Sequence, residues 1–130
     1  MKLENKTGIV TGAAKGMGSA ICHALAKEGA RLTLAARDIN ALEVLAKHLR
    51  DDGHEVRTQP TDVTQETEVA SMITETLKAF NGRIDFLVNV AGITGPIETP
   101  IWEIEHDDYL AVITTNIVGT FLPIKHVMPT

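Results

Sequence analysis

The 130-residue sequence has few aromatic side chains, one cysteine and no excess of basic charge. Aromatic residues make up 4% of the chain and the formal net charge is -5, so the sequence lacks both the stacking platforms and the basic field that nucleic-acid binding uses. The single cysteine, Cys22, excludes an internal disulfide, and its place among small helical residues indicates plain packing. The histidines share no metal-ligand spacing, so no metal site is predicted.

Long apolar runs are also absent. No run of about eighteen apolar residues occurs, and residues 1–6 lack the apolar centre of a signal peptide. We therefore expect no membrane partner, no nucleic-acid partner and a cytoplasmic location. An apolar fraction of 44% over this length is enough to build one domain and too little for two.

The most informative stretch is a glycine-rich turn at residues 11–18, directly after the apolar run at residues 8–10. A strand that ends in such a turn and continues into a helix aims the free N–H groups of the helix at a phosphate. Gly12 permits the sharp turn, Gly16 permits close approach of a pyrophosphate, and Gly18 permits close packing of the helix on the sheet. The spacing Gly-x3-Gly-x-Gly matches neither G-x-G-x-x-G nor the phosphate loop, and a plain strand-to-helix turn is the alternative interpretation.

Apolar periodicity divides the chain into alternating strands and helices. Strands are predicted at residues 6–11, 31–36, 54–59 and 84–90. Helices are predicted at residues 17–27, from an N-cap at Asn40 to a stop at 51–53, at residues 64–80, and from about Asp107 onward. Short connections between such elements specify a Rossmann-like, doubly wound parallel sheet in the order 3-2-1-4, incomplete on the side of strand 4.

The helical periodicity also predicts which side chains face the core. These inward residues are Ala20, Ile21, Ala24 and Leu25 in the first helix, Ala41, Leu42, Val44, Leu45 and Leu49 in the second, and Val69, Met72, Ile73, Leu77 and Phe80 in the third.

With Thr11 in front, the glycine turn resembles the Thr-Gly-x3-Gly-x-Gly turn of the classical short-chain dehydrogenases/reductases. Three further motifs are similar to those of the family and follow in its order: Asp62-Val63 after strand 3, Asn89-Val90-Ala91-Gly92 at the end of strand 4, and Asn116-Ile117-Val118-Gly119 in the last helix. The resemblance covers the whole chain and implies that residues 1–130 form a single dinucleotide-binding domain.

The resemblance implies a role for each motif. The Asp62 carboxylate would accept a hydrogen bond from the adenine amino group, whereas the alternative is that Asp62, with Thr64, caps the third helix. Asn89 would tie neighbouring strands together, and Ala91 and Gly92 would let the ribose lie close to the main chain. Val90 replaces the second asparagine of the family's Asn-Asn-Ala-Gly, which removes one side-chain hydrogen bond and leaves the turn intact.

Asn116 resembles the catalytic asparagine of the family, whose main chain holds a water of the proton relay. Asn and Gly both lower helix propensity, so a function for Asn116 would explain its unfavourable place in a helix. The cofactor-binding residues that the resemblance implies are Gly12, Lys15, Gly16, Met17, Gly18, Arg37, Asp62, Val63, Asn89, Ala91 and Gly92.

Two cations indicate the choice of cofactor. NAD-preferring members of the family place an acid at the end of strand 2, where this chain has Ala36, and NADP-preferring members place a base there. Arg37 beside that position and Lys15 in the glycine turn match the NADP pattern, so NADP is predicted and NAD is the alternative. The other interpretation is that both cations are ordinary solvated side chains.

The family's remaining catalytic groups, a Ser and a Tyr-x-x-x-Lys beyond the asparagine, are not found in residues 1–130, because the only tyrosine, Tyr109, precedes Ile113 at the lysine position. The chain is therefore predicted to be truncated before the catalytic segment and inactive by itself. In its complete form it would transfer a hydride between NADP(H) and a carbonyl or alcohol, and sugars, steroids, acyl-carrier ketones and simple alcohols all remain open as substrates. The alternative is a non-catalytic NADP-binding or interaction protein.

Two expectations concern surfaces. Trp102, in the loop after strand 4, lies on the face where substrates bind in such folds, and it could equally cover the core. Strand 4 is expected to have an unpaired edge, and the last helix carries apolar residues such as Val112, Ile117 and Phe121 that lack part of their cover, so a homo-oligomer is predicted.

Overall fold

The structure is a computed structural model that describes residues 1–130. Four strands alternate with helices along the chain. Their bounds are β1 (Thr7–Thr11), α1 (Gly16–Lys27), β2 (Arg31–Ala36), α2 (Ile39–Asp51), β3 (Val56–Pro60), α3 (Glu66–Ala79) and β4 (Phe86–Val88). A 3-10 turn (Ile101–Glu103), α4 (His106–Ile113), a π turn (Thr114–Val118) and α5 (Gly119–Val127) complete the chain.

The four strands form one parallel sheet in the order β3-β2-β1-β4, which confirms the predicted topology. In its register, Val10 of β1 pairs with Leu34 of β2 on one side and with Val88 of β4 on the other. Because all strands run in the same direction, their carboxyl ends meet at one edge. The segments that follow the strands therefore come together there.

Helices cover both faces of the sheet, as a doubly wound fold requires. One face packs against α1 and α2 through a buried cluster that includes Val10, Leu34 and Leu42. The other packs against α3 and α5 through Ile9, Met72 and a second group of buried apolar residues. A buried hydrogen bond of 2.8 Å between the hydroxyls of Thr33 in β2 and Thr76 in α3 fixes this second layer.

The start of α2 differs from the prediction. Asp38, rather than Asn40, is the N-cap, and its Oδ1 accepts the Ala41 N–H at 3.1 Å. Both residue types are good caps, and Asp38 is the one that ends the turn out of β2. The prediction for Val44 is also wrong, because its side chain is exposed, whereas Leu42, Leu45 and Leu49 are buried as expected.

The buried stripe of α1 differs too. Gly18, Cys22 and Ala26 are buried at a spacing of four residues, whereas Ala20 and Ala24 are exposed. Ile21 and Leu25 are half-buried and pack against the core beside this stripe. In α3 the prediction holds for Val69, Met72, Ile73 and Phe80, which are buried, and Leu77 is half-buried.

Two elements near the carboxyl end are less regular than predicted. β4 has three residues instead of the seven expected, and it pairs only with β1. The last helix begins at His106 and is interrupted by the π turn, which the periodicity did not indicate. The helical run His106–Val127 is long and apolar enough to cross a membrane by length and composition only, which is weak evidence for a membrane span.

Candidate dinucleotide site

A cleft of about 550 Å³ opens at the carboxyl ends of β1, β2 and β4. Its walls come from the glycine turn, the end of β2, the segment after β3, the segment after β4, and Thr115 of the π turn. The predicted residues that line it are Gly12, Lys15, Met17, Gly18, Arg37, Asp62, Val63, Ala91 and Gly92. Gly16, Asn89 and Asn116 do not line the cleft, and the roles of all twelve residues remain predictions.

The glycine turn forms the floor between β1 and α1. Gly12 has φ +62°, and a Cβ there would lie 2.6 Å from the Ala91 nitrogen, so the turn needs glycine for both conformation and space. A Cβ on Gly18 would overlap the Gly12 carbonyl, which means that Gly18 packs against the turn itself rather than against the sheet. Gly16 has φ +58° with open space around it, which leaves its main chain approachable.

The amino end of α1 faces this cleft without a protein cap. Lys15 is at the N-cap position and makes no side-chain capping bond, and the first turn carries no acidic residue. The helix therefore presents free N–H groups and the positive end of its dipole, with the Lys15 ammonium beside them. This combination attracts an anion such as a phosphate.

At the end of β2, Arg37 is exposed and lines the cleft. Asp38 beside it is engaged by its cap bond to the Ala41 N–H, so one of its carboxylate oxygens is already satisfied within α2. Ala36 also lines the cleft and brings no charge. This strand end therefore presents the Arg37 guanidinium to the cleft, with the Asp38 carboxylate next to it at the start of α2.

Asp62 makes a local turn after β3. Its Oδ1 accepts both the Thr64 N–H at 2.9 Å and the Thr64 hydroxyl at 2.7 Å. That hydroxyl holds the pKa of the Asp62 carboxyl below its ordinary value, and the positive charge of Arg37 acts in the same direction. α3 begins later, after an N-cap at Gln65, so Asp62 does not cap the helix. The carboxylate stays ionised and its Oδ2 makes no hydrogen bond within the protein.

The prediction that Asn89 ties strands together does not match this structure. Its Oδ1 is buried without a partner, and the residue lines a second cavity of about 510 Å³ on the outer side of β4. The connection comes from Thr11, whose buried hydroxyl oxygen accepts the N–H groups of Val90 and Ala91, both at 3.2 Å. Thr11 is a polar residue at the end of an apolar strand, and this feature could have indicated its hydrogen-bonding role. The family motif included Thr11 without assigning it that role.

Asn116 lies in the π turn, and its side chain reaches back to the loop after β4. Its Oδ1 accepts the Ile93 N–H and its Nδ2 donates to the Ile93 carbonyl, both at 2.9 Å. Three residues later, a Cβ on Gly119 would lie 2.6 Å from Val63 Cγ2. Loop anchoring and close packing therefore account for two residues that are poor helix formers.

Trp102 is 81% exposed in the 3-10 turn, so it does not cover the core. The other interpretation, a place on the face where substrates bind in such folds, stays a prediction.

Comparison with known proteins identifies the family and the fold of this chain. The family model for short chain dehydrogenases matches residues 6–130. An uncharacterised oxidoreductase of Staphylococcus saprophyticus is 36% identical over 130 residues, which cover 99% of this chain and 54% of that protein. The chain thus spans about half the length of this curated relative.

Two solved structures superimpose closely. NAD+-bound xylitol dehydrogenase has a TM-score of 0.93 at 35% identity, over 98% of this chain and 48% of the other. A metagenomic short-chain oxidoreductase in complex with NADP has a TM-score of 0.91 at 31% identity, over 99% of this chain and 57% of the other. With the family model matching all but the first five residues, the chain belongs to the short-chain dehydrogenase family.

Proposed function

We propose that this chain binds a nicotinamide dinucleotide in the cleft at the carboxyl ends of β1, β2 and β4. The observation that carries the proposal is the uncapped amino end of α1 beside Gly12 and Gly16, both at positive φ. A pyrophosphate needs free N–H donors and main chain without Cβ atoms in the way, and this turn offers both. The relatives with bound NAD+ and NADP support the same ligand class.

The walls of the cleft suit the remaining parts of the ligand. The ionised Asp62 carboxylate, with a free Oδ2, is an acceptor for the adenine amino group, and Val63 supplies an apolar neighbour. Ala91 and Gly92 present small side chains at the end of β4, where a ribose would meet the main chain. The cofactor, when bound, supplies or accepts the hydride of a carbonyl–alcohol interconversion.

NADP is the proposed preference over NAD. Lys15 and Arg37 line the cleft, and Ala36 leaves no acid at the strand end to repel a 2′-phosphate. Asp38 also lines the cleft, and its Oδ1 accepts the Ala41 N–H at the α2 cap. A phosphate between two cations would gain charge-assisted hydrogen bonds that NAD cannot make.

In the complete protein, the proposed activity is NADP-dependent oxidoreduction of a small-molecule carbonyl or alcohol, in a homo-oligomer located in the cytoplasm. Residues 1–130 by themselves are proposed to bind the cofactor without turnover. The side chains that line the cleft include no tyrosine with a lysine beside it that could donate a proton to the substrate oxygen.

The test is a titration of the 15N-labelled chain with NADPH, followed by NMR and by calorimetry. Saturable binding should shift the amides of Gly12, Gly18 and Gly92. The amides of Gly53 and Gly82, which follow α2 and α3 at the opposite edge of the sheet, serve as internal controls and should not shift. An absence of saturable binding, or a footprint at the control glycines, contradicts the proposal.

A further inference from the structure

Thr120, in the first turn of α5, makes a contact that none of the family motifs includes. Its hydroxyl donates to the main-chain carbonyl of Asn116 at 2.9 Å. Asn116 in turn forms two side-chain hydrogen bonds with the main chain of Ile93, which lies 23 residues earlier. The three residues therefore form a continuous hydrogen-bonded path from α5 to the loop after β4.

The π turn explains why this hydroxyl matters at this position. The N–H of Gly119 bonds to the Thr114 carbonyl five residues back, so the regular four-residue ladder is broken at the turn that holds Asn116. A threonine hydroxyl that bonds the carbonyl four residues back competes with the main-chain ladder and often bends a helix, so it suits a turn where the ladder is already interrupted. Thr76 makes the same type of bond to Met72 in the regular helix α3, where the ladder is intact.

The other end of the path is a wall of the cleft. β4 ends at Val88 and the next regular element begins at Ile101, so the segment between them relies on side-chain bonds for its position. Thr11 holds its first part through Val90 and Ala91, and Asn116 holds Ile93. Ile93 lines the cleft together with Gly92, which makes the orientation of Asn116 a determinant of the shape of the cleft.

We propose that Thr120 is a positioning residue for the dinucleotide cleft. Its hydroxyl fixes the π turn, the fixed turn aims the Asn116 amide at Ile93, and Ile93 holds the wall of the cleft. The part of this inference that concerns ligand affinity rests on the proposed function, whereas the coupling of Thr120 to Ile93 is a property of the ligand-free chain.

The experiment replaces Thr120 with Val, which keeps the shape and removes the hydroxyl. In the ligand-free 15N-labelled chain, the exchange rate of the Ile93 amide should rise about fivefold, the size expected for one lost hydrogen bond. The dissociation constant for NADPH should rise by about the same factor. Thr120→Ser restores the hydroxyl and should return both quantities towards those of the wild-type chain.

Thr99→Val is the matched control, because it removes a hydroxyl-to-carbonyl bond of 3.0 Å to Ile97 and leaves Asn116 alone. The inference is overturned if Thr120→Val leaves the Ile93 exchange rate unchanged, if Ser fails to rescue, or if all amides exchange faster to the same extent. A wild-type chain that binds no NADPH overturns the proposed function instead, and the exchange measurement then still decides the role of Thr120.

Discussion

Charged side chains at the two ends of the sheet differ in whether they have partners within the protein. At the carboxyl edge, Lys15 and Arg37 line the cleft without an ion-pair partner within the protein, so their charge is available to a ligand. At the amino edge, Asp85 accepts the Thr7 N–H at 2.8 Å and pairs with Arg83 through both carboxylate oxygens. We propose that these two cations recognise the ligand, whereas the Asp85 hydrogen bonds connect the segment before β4 to β1.

We expect Arg37→Ala to reduce the preference for NADP over NAD. One charge-assisted bond to the 2′-phosphate contributes about 1.5–3 kcal/mol, so NADP affinity should fall roughly ten- to a hundredfold while NAD affinity stays nearly constant. Calorimetric titration of both cofactors measures the ratio. Lys47→Ala, which removes a surface cation paired with Asp51 on α2, is the control and should leave the ratio unchanged. A ratio unaffected by Arg37→Ala would refute the assignment.

We expect the Asp85 carboxylate to make a contribution to the free energy of unfolding that is lost at acidic pH. The hydrogen bond from Arg83, followed by that from the Thr7 N–H, lowers the pKa of the Asp85 carboxyl from 3.8 to about 2. A pKa lower in the folded chain than in the unfolded chain gives stability that is complete above about pH 4 and is lost as the pH falls towards 2. Asp85→Asn should therefore lower the melting temperature at pH 7.

The melting temperatures of the wild-type chain and Asp85→Asn, measured from pH 7 to pH 2, should differ by a constant amount above pH 5 and converge below pH 4. Asp108→Asn removes an exposed carboxylate on α4 that makes no ion pair, and should leave the wild-type curve in place. A difference that persists unchanged down to pH 2 would contradict the role given to Asp85.

Among the elements, the junction of β1 and α1 is the most sterically constrained. A Cβ on Gly18 would overlap the carbonyl oxygen of Gly12, and that oxygen belongs to the backbone, which cannot rotate away. The first turn of α1 therefore lies as close to the glycine turn as glycine permits. The helix N-terminus is held at the floor of the cleft by this contact.

Gly18→Ala should destabilise the chain by about 1–3 kcal/mol, which is the usual cost of overpacking, and should also weaken dinucleotide binding because α1 must shift. Urea unfolding and NADPH titration of the same variant measure the two effects. Gly53→Ala is the comparison, since Gly53 has φ +87° but open space around it. That variant carries backbone strain only and should keep its affinity for NADPH. Equal losses of affinity in the two variants would argue against a specific role of the α1 contact.

For the whole molecule, the largest uncovered apolar surface lies along α4 and α5. Only 17% of the apolar window in this helical run is buried, and Ile117 and Phe121 are each more than half exposed. The outer edge of β4 adds unpaired backbone groups nearby. We propose that another copy of the chain covers this surface.

We expect sedimentation equilibrium to show a dimer or larger species whose population rises with concentration. Phe121→Glu should weaken association roughly ten- to a hundredfold, because burial of one large apolar side chain contributes about 1.5–3 kcal/mol. Val44→Glu places the same charge on an exposed apolar site of α2 and should have no effect. A wild-type chain that remains monomeric at all concentrations would refute this prediction.

We also expect residues 1–130 alone to show no carbonyl reduction above the background rate. Charge that develops on the substrate oxygen needs a proton donor within hydrogen-bond reach, and the loss of one such group typically costs about a hundred- to ten-thousandfold in rate. NADPH absorbance followed with a panel of ketones and aldehydes tests this. Turnover that disappears in Asn116→Ala would contradict it and identify an unrecognised proton donor.

Local sequence patterns were sufficient for the order of the elements and for much of the cleft. β2 occupies the predicted residues 31–36, and the glycine turn, Asp62 and Ala91-Gly92 meet at one edge as parallel strands require. The pattern was insufficient at Asn40, because Asp38 is an equally suitable cap. It was also insufficient at Val44, Ala20 and Ala24, because apolar character alone did not give the helix face that meets the sheet. Periodicity also did not indicate the π turn, because residues 110–124 are so largely apolar that a shift of one residue in the helical phase leaves no visible break.

The sequence by itself determined the parallel sheet and the position of the glycine turn, since both follow from backbone freedom and apolar spacing within about twenty residues. Only the tertiary structure decided which side chains hold the cleft together. Thr11 meets Val90 across 79 residues, Asp85 meets Thr7 across 78, and Asn116 meets Ile93 across 23. A hydrogen bond needs its atoms about 3 Å apart, and only the folded sheet and helix packing bring such distant residues to that distance.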